Sequence, residues 1–171
     1  FFQVPGSANP RLTTNYVLLS GIPVPIDRPG SSIYDQPPPF AFGGSGLVSS
    51  PADYDRFLML ILGGGMLGGK RIVNEAAVRL ATSDLLPPEA DLTGTFVAGN
   101  RFGAGAVVGA GKDTGLWGWS GAAGTVGFAH TGLGLRTSLF VQYMPQEQLP
   151  ILKEFPQAVG ADLTAMGHNP K

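Results

Sequence analysis

Glycine and proline set the limits of this chain: 26 glycines and 15 prolines fall among its 171 residues. That density approaches the low-complexity range. The glycines follow no fixed period, however, and 43% of residues are hydrophobic, which excludes a collagen-like repeat and a disordered chain. A chain of this length can bury about two-thirds of its unfolded surface, so one ordinary domain with a sizeable core is expected. Only 13% of residues are charged, and 11 basic against 12 acidic side chains leave a net charge of −1. Nucleic acid and anionic membranes therefore find no electrostatic footprint. The longest apolar run, Phe57-Leu58-Met59-Leu60-Ile61-Leu62, is far too short to span a bilayer. There is no cysteine, which removes disulfides, thiolate nucleophiles and cysteine metal sites. The start, Phe1-Phe2-Gln3-Val4-Pro5, is neither an initiating methionine nor a signal peptide, and reads as the middle of something longer.

Residues 1–46 hold eight of the prolines and only four charges, Arg11, Asp27, Arg28 and Asp35. Proline removes backbone donors and extends the residue before it, so this segment is expected to be ordered coil covering a body formed by residues 47–171. The first strong helix follows. Ser50 can cap it, Pro51 suits its first position and Asp53 completes a capping-box-like start. Tyr54, Phe57, Leu58, Ile61 and Leu62 then form one apolar face, and Gly63-Gly64-Gly65 ends the helix. A turn over Met66 to Arg71 leads to Asn74, a cap for a short helix reaching about Asp84. Strands are expected over Phe102 to Val108, Leu116 to Ala129 and Leu135 to Met144, the last two joined by the turn His130-Thr131-Gly132-Leu133-Gly134. Pro156 can begin a final helix with Val159, Leu163 and Met166 on one side, packed on the sheet. The whole reads as an α+β body with an antiparallel sheet and flanking helices.

No self-contained catalytic site emerges. No serine has a lysine three positions later, and no G-x-S-x-G elbow exists: Gly118-Trp119-Ser120-Gly121 is followed by Ala122, and Gly43-Gly44-Ser45-Gly46 by Leu47. His130 and His168 are not spaced as metal ligands and read as surface residues. Asp53 and Asp55 read as a cap and a solvated face. The glycines at 103, 105 and 109–115 lack the G-K-[ST] of a phosphate loop. What remains is Gly115-Leu116-Trp117-Gly118-Trp119-Ser120-Gly121-Ala122-Ala123-Gly124-Thr125. Two tryptophans among so many glycines fit an edge strand whose glycines are rescued by aromatic rings. They fit equally a strand whose N–H groups bind a carbonyl or an acyl oxyanion.

Four ordered blocks carry a resemblance. They are Phe42-Gly43-Gly44-Ser45-Gly46-Leu47-Val48-Ser49-Ser50-Pro51-Ala52-Asp53-Tyr54-Asp55-Arg56-Phe57, the stretch from Leu62-Gly63-Gly64-Gly65 to Arg71-Ile72-Val73, Arg101-Phe102-Gly103-Ala104-Gly105, and Trp119-Ser120-Gly121-Ala122-Ala123-Gly124-Thr125. In that order they resemble the C-terminal half of the class C β-lactamase-related serine hydrolases, most closely the β-lactamase-like, family VIII esterase branch. The resemblance runs from about Phe2 to Met166 and implies the C-terminal part of a serine β-lactamase/penicillin-binding-protein-like fold. The family's Ser-x-x-Lys and Tyr-x-Asn or Tyr-x-Ser motifs lie upstream of the matching part and are not in this chain. Its third motif, Lys-Thr-Gly in β-lactamases and often His-x-Gly or Trp-x-Gly in esterases, falls on Trp119-Ser120-Gly121. The resemblance implies that Ala122 supplies the backbone N–H that completes the oxyanion hole. Ala129-His130-Thr131 departs from the Asp-Pro turn common in relatives.

The resemblance implies a serine esterase acting through an acyl-enzyme, with Trp119, Ser120 and Gly121 against the substrate and no cofactor or metal. Trp119 in place of lysine removes the cation that would attract a β-lactam or peptide carboxylate and points to neutral esters. The implied partners are a small-molecule ester or lactam substrate, an N-terminal half present as a missing segment or separate chain, and a possible second copy of the chain. The compartment stays open between bacterial cytoplasm and periplasm. Two rivals remain: a β-lactamase or D-Ala-D-Ala peptidase, and a non-catalytic binding or assembly protein that keeps half the fold.

Overall fold

The structure, a computed structural model, describes residues 1–168. In chain order its elements are β1 (Asn15–Leu19), β2 (Ile22–Asp27), α1 (Pro51–Leu62), β3 (Met66–Leu67), β4 (Lys70–Arg71), α2 (Glu75–Ala81), β5 (Arg101–Phe102), β6 (Val107–Val108), β7 (Leu116–Ser120), β8 (Val126–His130), β9 (Leu135–Leu139), β10 (Tyr143–Met144) and α3 (Ile151–Ala165). The chain divides into two compact units. The first comprises Phe1–Ser50, Gly121–Thr125 and Leu139–Ala161, and the second Pro51–Ser120, Val126–Ser138 and the chain from Asp162 onward.

The first unit holds a three-stranded sheet in the order β10-β1-β2, with β1 antiparallel to β2 and parallel to β10. The segment 1–46 is therefore not all coil. Ser20 and Gly21 both take positive φ, 50° and 81°, and close a two-residue hairpin between Leu19 and Ile22. Pro23 and Pro25 sit inside β2, which is tolerated because β2 is an edge of its sheet. Beyond it, Ser32 is buried yet satisfied: its hydroxyl donates to Asp27 at 2.8 Å and accepts from the Tyr34 N–H at 3.1 Å. The expected strand 135–144 breaks in two. β9 ends at Leu139, and Tyr143 and Met144 instead pair with Tyr16 and Val17.

The second unit is built on a five-stranded sheet in the order β5-β6-β7-β8-β9. α1 spans Pro51–Leu62 as expected, and Gly64 and Gly65, at φ 58° and 91°, turn the chain out of it. Its face packs on β8, where Gly127 leaves room for the Tyr54 ring: a Cβ there would lie 2.2 Å from Tyr54 Cε1. Leu58, Ile61, Val78, Ala106, Trp117 and Ala129 form the core, with Tyr54, Leu62 and Val108 packed around it. Asn74 caps α2 by accepting the Ala76 N–H at 2.8 Å. That helix ends at Ala81 rather than Asp84, where the Trp117 indole N–H donates to the Ala81 carbonyl at 3.2 Å.

Three further expectations change. The Met66–Arg71 turn contains the small β3–β4 hairpin. The segments 102–108 and 116–129 are each a hairpin, β5–β6 and β7–β8, because the glycines at 103–105 and 121–124 fold back where a strand would continue. The last helix begins at Ile151: the Pro150 carbonyl accepts the N–H groups of Lys153 at 2.9 Å and Glu154 at 3.0 Å, leaving Pro156 inside the helix. No residue of α3 is buried, so Val159, Leu163 and Met166 do not form the core face expected of them.

Candidate active site

β7 is the third strand of five, paired with β6 on one side and β8 on the other. It is not an edge, so rescue of an exposed edge does not account for its two tryptophans. Trp117 and Trp119, two residues apart, share a face of the strand. Trp117 is core: it is 7% exposed, hydrogen-bonded, and tilted against Phe57 with centroids 6.0 Å apart. Trp119 is half-buried and receives two ring edges, Phe102 at 5.3 Å and 85° and Phe96 at 5.4 Å and 72°. Gly118 between them is obligatory, since a Cβ would lie 2.2 Å from the Gly127 carbonyl oxygen. Ser120, also half-buried, closes the strand, and no hydrogen bond of its hydroxyl is found among the described residues.

The chain passes from the second unit to the first between Ser120 and Gly121. Within the first unit the 121–125 turn is held at several points. The Gly121 N–H donates to the Thr125 carbonyl at 2.7 Å, the Gly124 N–H to the Gly121 carbonyl at 2.9 Å, and the Tyr143 N–H to the Ala123 carbonyl at 3.0 Å. Gly124 has φ 82°, and its missing Cβ would fall 2.3 Å from Val141 Cγ2. Ala122 stands out in this setting. It is exposed, and its N–H, like that of Ala123, donates to no acceptor among the described residues, while those of Gly121 and Gly124 are engaged.

The remaining candidates fall elsewhere. His130 is not a free surface residue: it is half-buried against Gly115 and Gly132, and its Nδ1 is buried without a partner among the described residues. His168 is exposed. Asp55 is not merely solvated, because Arg136 donates to both its carboxylate oxygens and the pairing raises the arginine pKa. Among the described residues no group of three histidine or carboxylate side chains could hold a metal, and no helix is long and apolar enough to cross a membrane. A cavity of about 220 Å³ is lined by Thr82, Val108, Gly109, Thr114, Leu116 and Thr131, among others, and by none of Trp119 to Ala122. Phe96 and Phe102 were not among the expected site residues, and only the aromatic beside a glycine in Arg101-Phe102-Gly103 marked either of them.

These elements define an α+β protein of the serine β-lactamase/penicillin-binding-protein-like fold, with antiparallel sheets and flanking helices. The Beta-lactamase family model matches residues 1–154, and the chain belongs to that family of β-lactamase-like serine hydrolases. Protein Rv1367c of Mycobacterium tuberculosis (strain ATCC 25618 / H37Rv) is 32% identical over 123 residues, covering 64% of this chain and 31% of that protein. Protein MT1414 of strain CDC 1551 / Oshkosh matches at the same 32% over 123 residues. The chain thus spans about a third of the length of these curated relatives, 31% by alignment. Unliganded simvastatin synthase (LovD) from Aspergillus terreus superimposes with a TM-score of 0.72 at 19% identity, covering 96% of this chain and 46% of that one. The LovD6 mutant of the same synthase gives 0.69 at 19%, covering 88% and 41%. At that identity the likeness is one of fold.

Proposed function

We propose that this chain carries the oxyanion-hole strand of a serine hydrolase that cleaves neutral carboxylic esters through an acyl-enzyme. In this reading the nucleophilic serine and its Lys/Tyr base lie in an N-terminal half outside these 171 residues. The serine hydroxyl attacks the ester carbonyl carbon, its proton passes to the Lys/Tyr pair, and the alcohol leaves with a proton returned to its oxygen. Water then attacks the acyl-serine and releases the acid. Each attack places negative charge on the former carbonyl oxygen, and a fixed N–H aimed at that oxygen is worth about 2.7–4 kcal/mol.

The observation that supports this reading is the unengaged Ala122 N–H directly after Trp119-Ser120-Gly121, in a turn where the Gly121 and Gly124 N–H groups are taken. An aromatic ring in place of a cation at residue 119 favours a neutral acyl or alcohol group over a carboxylate. In this reading the Ser120 hydroxyl bonds a substrate oxygen. The test is a structure of the full-length protein inactivated by an alkyl phosphonate: its anionic oxygen is expected within roughly 2.7–3.1 Å of the Ala122 nitrogen. A phosphonyl oxygen held by other donors, with Ala122 facing solvent, would remove the assignment. Covalent labelling of Ser120 or Ser45 would show that the nucleophile lies in this chain after all.

A further inference from the structure

The β1–β2 hairpin of the first unit turns apolar side chains to water along one face. Its register sets Leu19 opposite Ile22 and Val17 opposite Val24. Strand residues alternate between faces, so Val17, Leu19, Ile22, Val24 and Ile26 lie on the same side of the ribbon. Leu19, Ile22 and Ile26 are 56%, 65% and 53% exposed, and the two valines are only half-buried. The hairpin is fixed in its unit, because Ser20 and Gly21 close it as a two-residue turn and β10 pairs with β1 on the side away from β2. From Leu12 to Ile26 no residue carries a charge. The first charge beyond, Asp27, has its carboxylate engaged by the Ser32 hydroxyl and the Ile33 N–H.

The build of this face narrows what can cover it. Pro23 and Pro25 lie on β2, the edge strand, and deprive an added strand of N–H partners, so the edge does not recruit one. A stable protein interface needs about 800 Å² from each partner, contributed by roughly 20–30 residues a side. Three well-exposed side chains on a two-stranded ribbon fall far short of that. With no cation along the hairpin, an anionic surface gains nothing from it either. Aliphatic side chains at a charge-free tip do match the hydrocarbon boundary of a lipid layer, where each buried apolar group contributes without a shaped partner.

We infer that the β1–β2 hairpin docks on a zwitterionic lipid surface. Leu19 and Ile22 enter the boundary between headgroups and acyl chains, and Ile26 follows on the same face. The backbone of Ser20 and Gly21 stays at headgroup depth, where water still satisfies it. The contact is shallow and reversible.

The test is co-sedimentation of the full-length protein with phosphatidylcholine vesicles. Binding is expected, unchanged by added phosphatidylglycerol or by salt. The double substitution Leu19→Asn, Ile22→Asn is expected to lower the partition coefficient about tenfold or more, since it removes two of the three entering side chains. Ile22→Trp, at an exposed position that accepts a larger ring, is expected to keep binding and to shift its added emission to the blue on vesicles. That variant reads the contact even where the double substitution fails to fold. Absence of binding, equal binding by a folded double variant, an unshifted Ile22→Trp emission, or binding that requires anionic lipid overturns the inference. A dimer in sedimentation equilibrium that the double substitution abolishes assigns the face to a second copy of the chain and overturns it as well.

Discussion

The packing of Tyr54 on β8 makes Gly127 a test of how α1 is held. A Cβ at residue 127 would fall 2.2 Å from Tyr54 Cε1, 3.0 Å from Cζ and 3.1 Å from the phenol oxygen. Carbon atoms sit comfortably at about 3.5–4.0 Å, so in Gly127→Ala the ring must retreat by more than an ångström. It has little freedom to do so, because Tyr54 is tilted against Phe57 at 5.6 Å and Phe57 against Trp117 at 6.0 Å. Gly127 is not among the positive-φ glycines, so the substitution carries no backbone penalty and the effect is steric alone. Overpacking of this kind costs about 1–3 kcal/mol. Urea unfolding of the full-length protein reads it directly, and Tyr54→Ala supplies the control. With the ring gone, Gly127→Ala is expected to cost less than about 0.5 kcal/mol, leaving a coupling of roughly 1–2 kcal/mol between the two sites. An equal loss in both backgrounds would refute the steric account.

Asn74→Ala removes the cap of α2 and is expected to cost about 1 kcal/mol in the same urea titration, with Asn74→Asp retaining most of the stability. Burial raises the Tyr54 pKa above its ordinary 10.0, so the folded protein keeps a phenol proton that the unfolded chain has released. Stability is then insensitive to this group below that value and falls as pH rises through it, and melting curves between roughly pH 8 and 11 are expected to flatten in Tyr54→Phe. The Asp84 carboxyl sits below its usual 3.8, first through the hydrogen bond from Arg101 and then through the Leu86 N–H. The stability it contributes is present above that pH and lost as pH falls through the lowered value. Asp84→Asn is expected to remove that part of the acid limb, with a small effect because the carboxylate is exposed.

Local signals were legible where the determinant is itself local. The start of α1 at Pro51, its stop at the Gly63–Gly65 run and the Asn74 cap each depend on side chains within a turn of one another, and each appears where the sequence placed it. The β1–β2 hairpin was hidden by Pro23 and Pro25, which argue against a strand until the topology shows that β2 is an edge. The Ser20-Gly21 dipeptide is the local signal of that turn. The early end of β9 was not legible at all. Thr137, Leu139, Val141 and Tyr143 continue at alternate positions, and what draws Tyr143 away is a pairing with Tyr16, far earlier in the chain. Phe96 was missed for a similar reason: a lone aromatic among turn residues has no period, and its meaning comes only from Trp119 beside it.

β7 shows how these limits bear on the chemistry. Two readings of Trp117-Gly118-Trp119 were open from the residues alone, and the sheet order separates them. A strand with partners on both sides needs no aromatic rescue, so its glycine answers to the neighbouring strand instead, where the Gly127 carbonyl would lie 2.2 Å from any Cβ. The tryptophans then divide the work. Trp117 is bound to the Ala81 carbonyl and to the core, and substituting it would report on folding. Trp119 has ring contacts with Phe96 and Phe102 and partial exposure, so under the proposed ester reading its substitution is the one to assay for an effect on turnover. The same contrast holds one turn later. The N–H groups of Gly121 and Gly124 are spent on the turn, and those of Ala122 and Ala123 donate to no acceptor among the described residues.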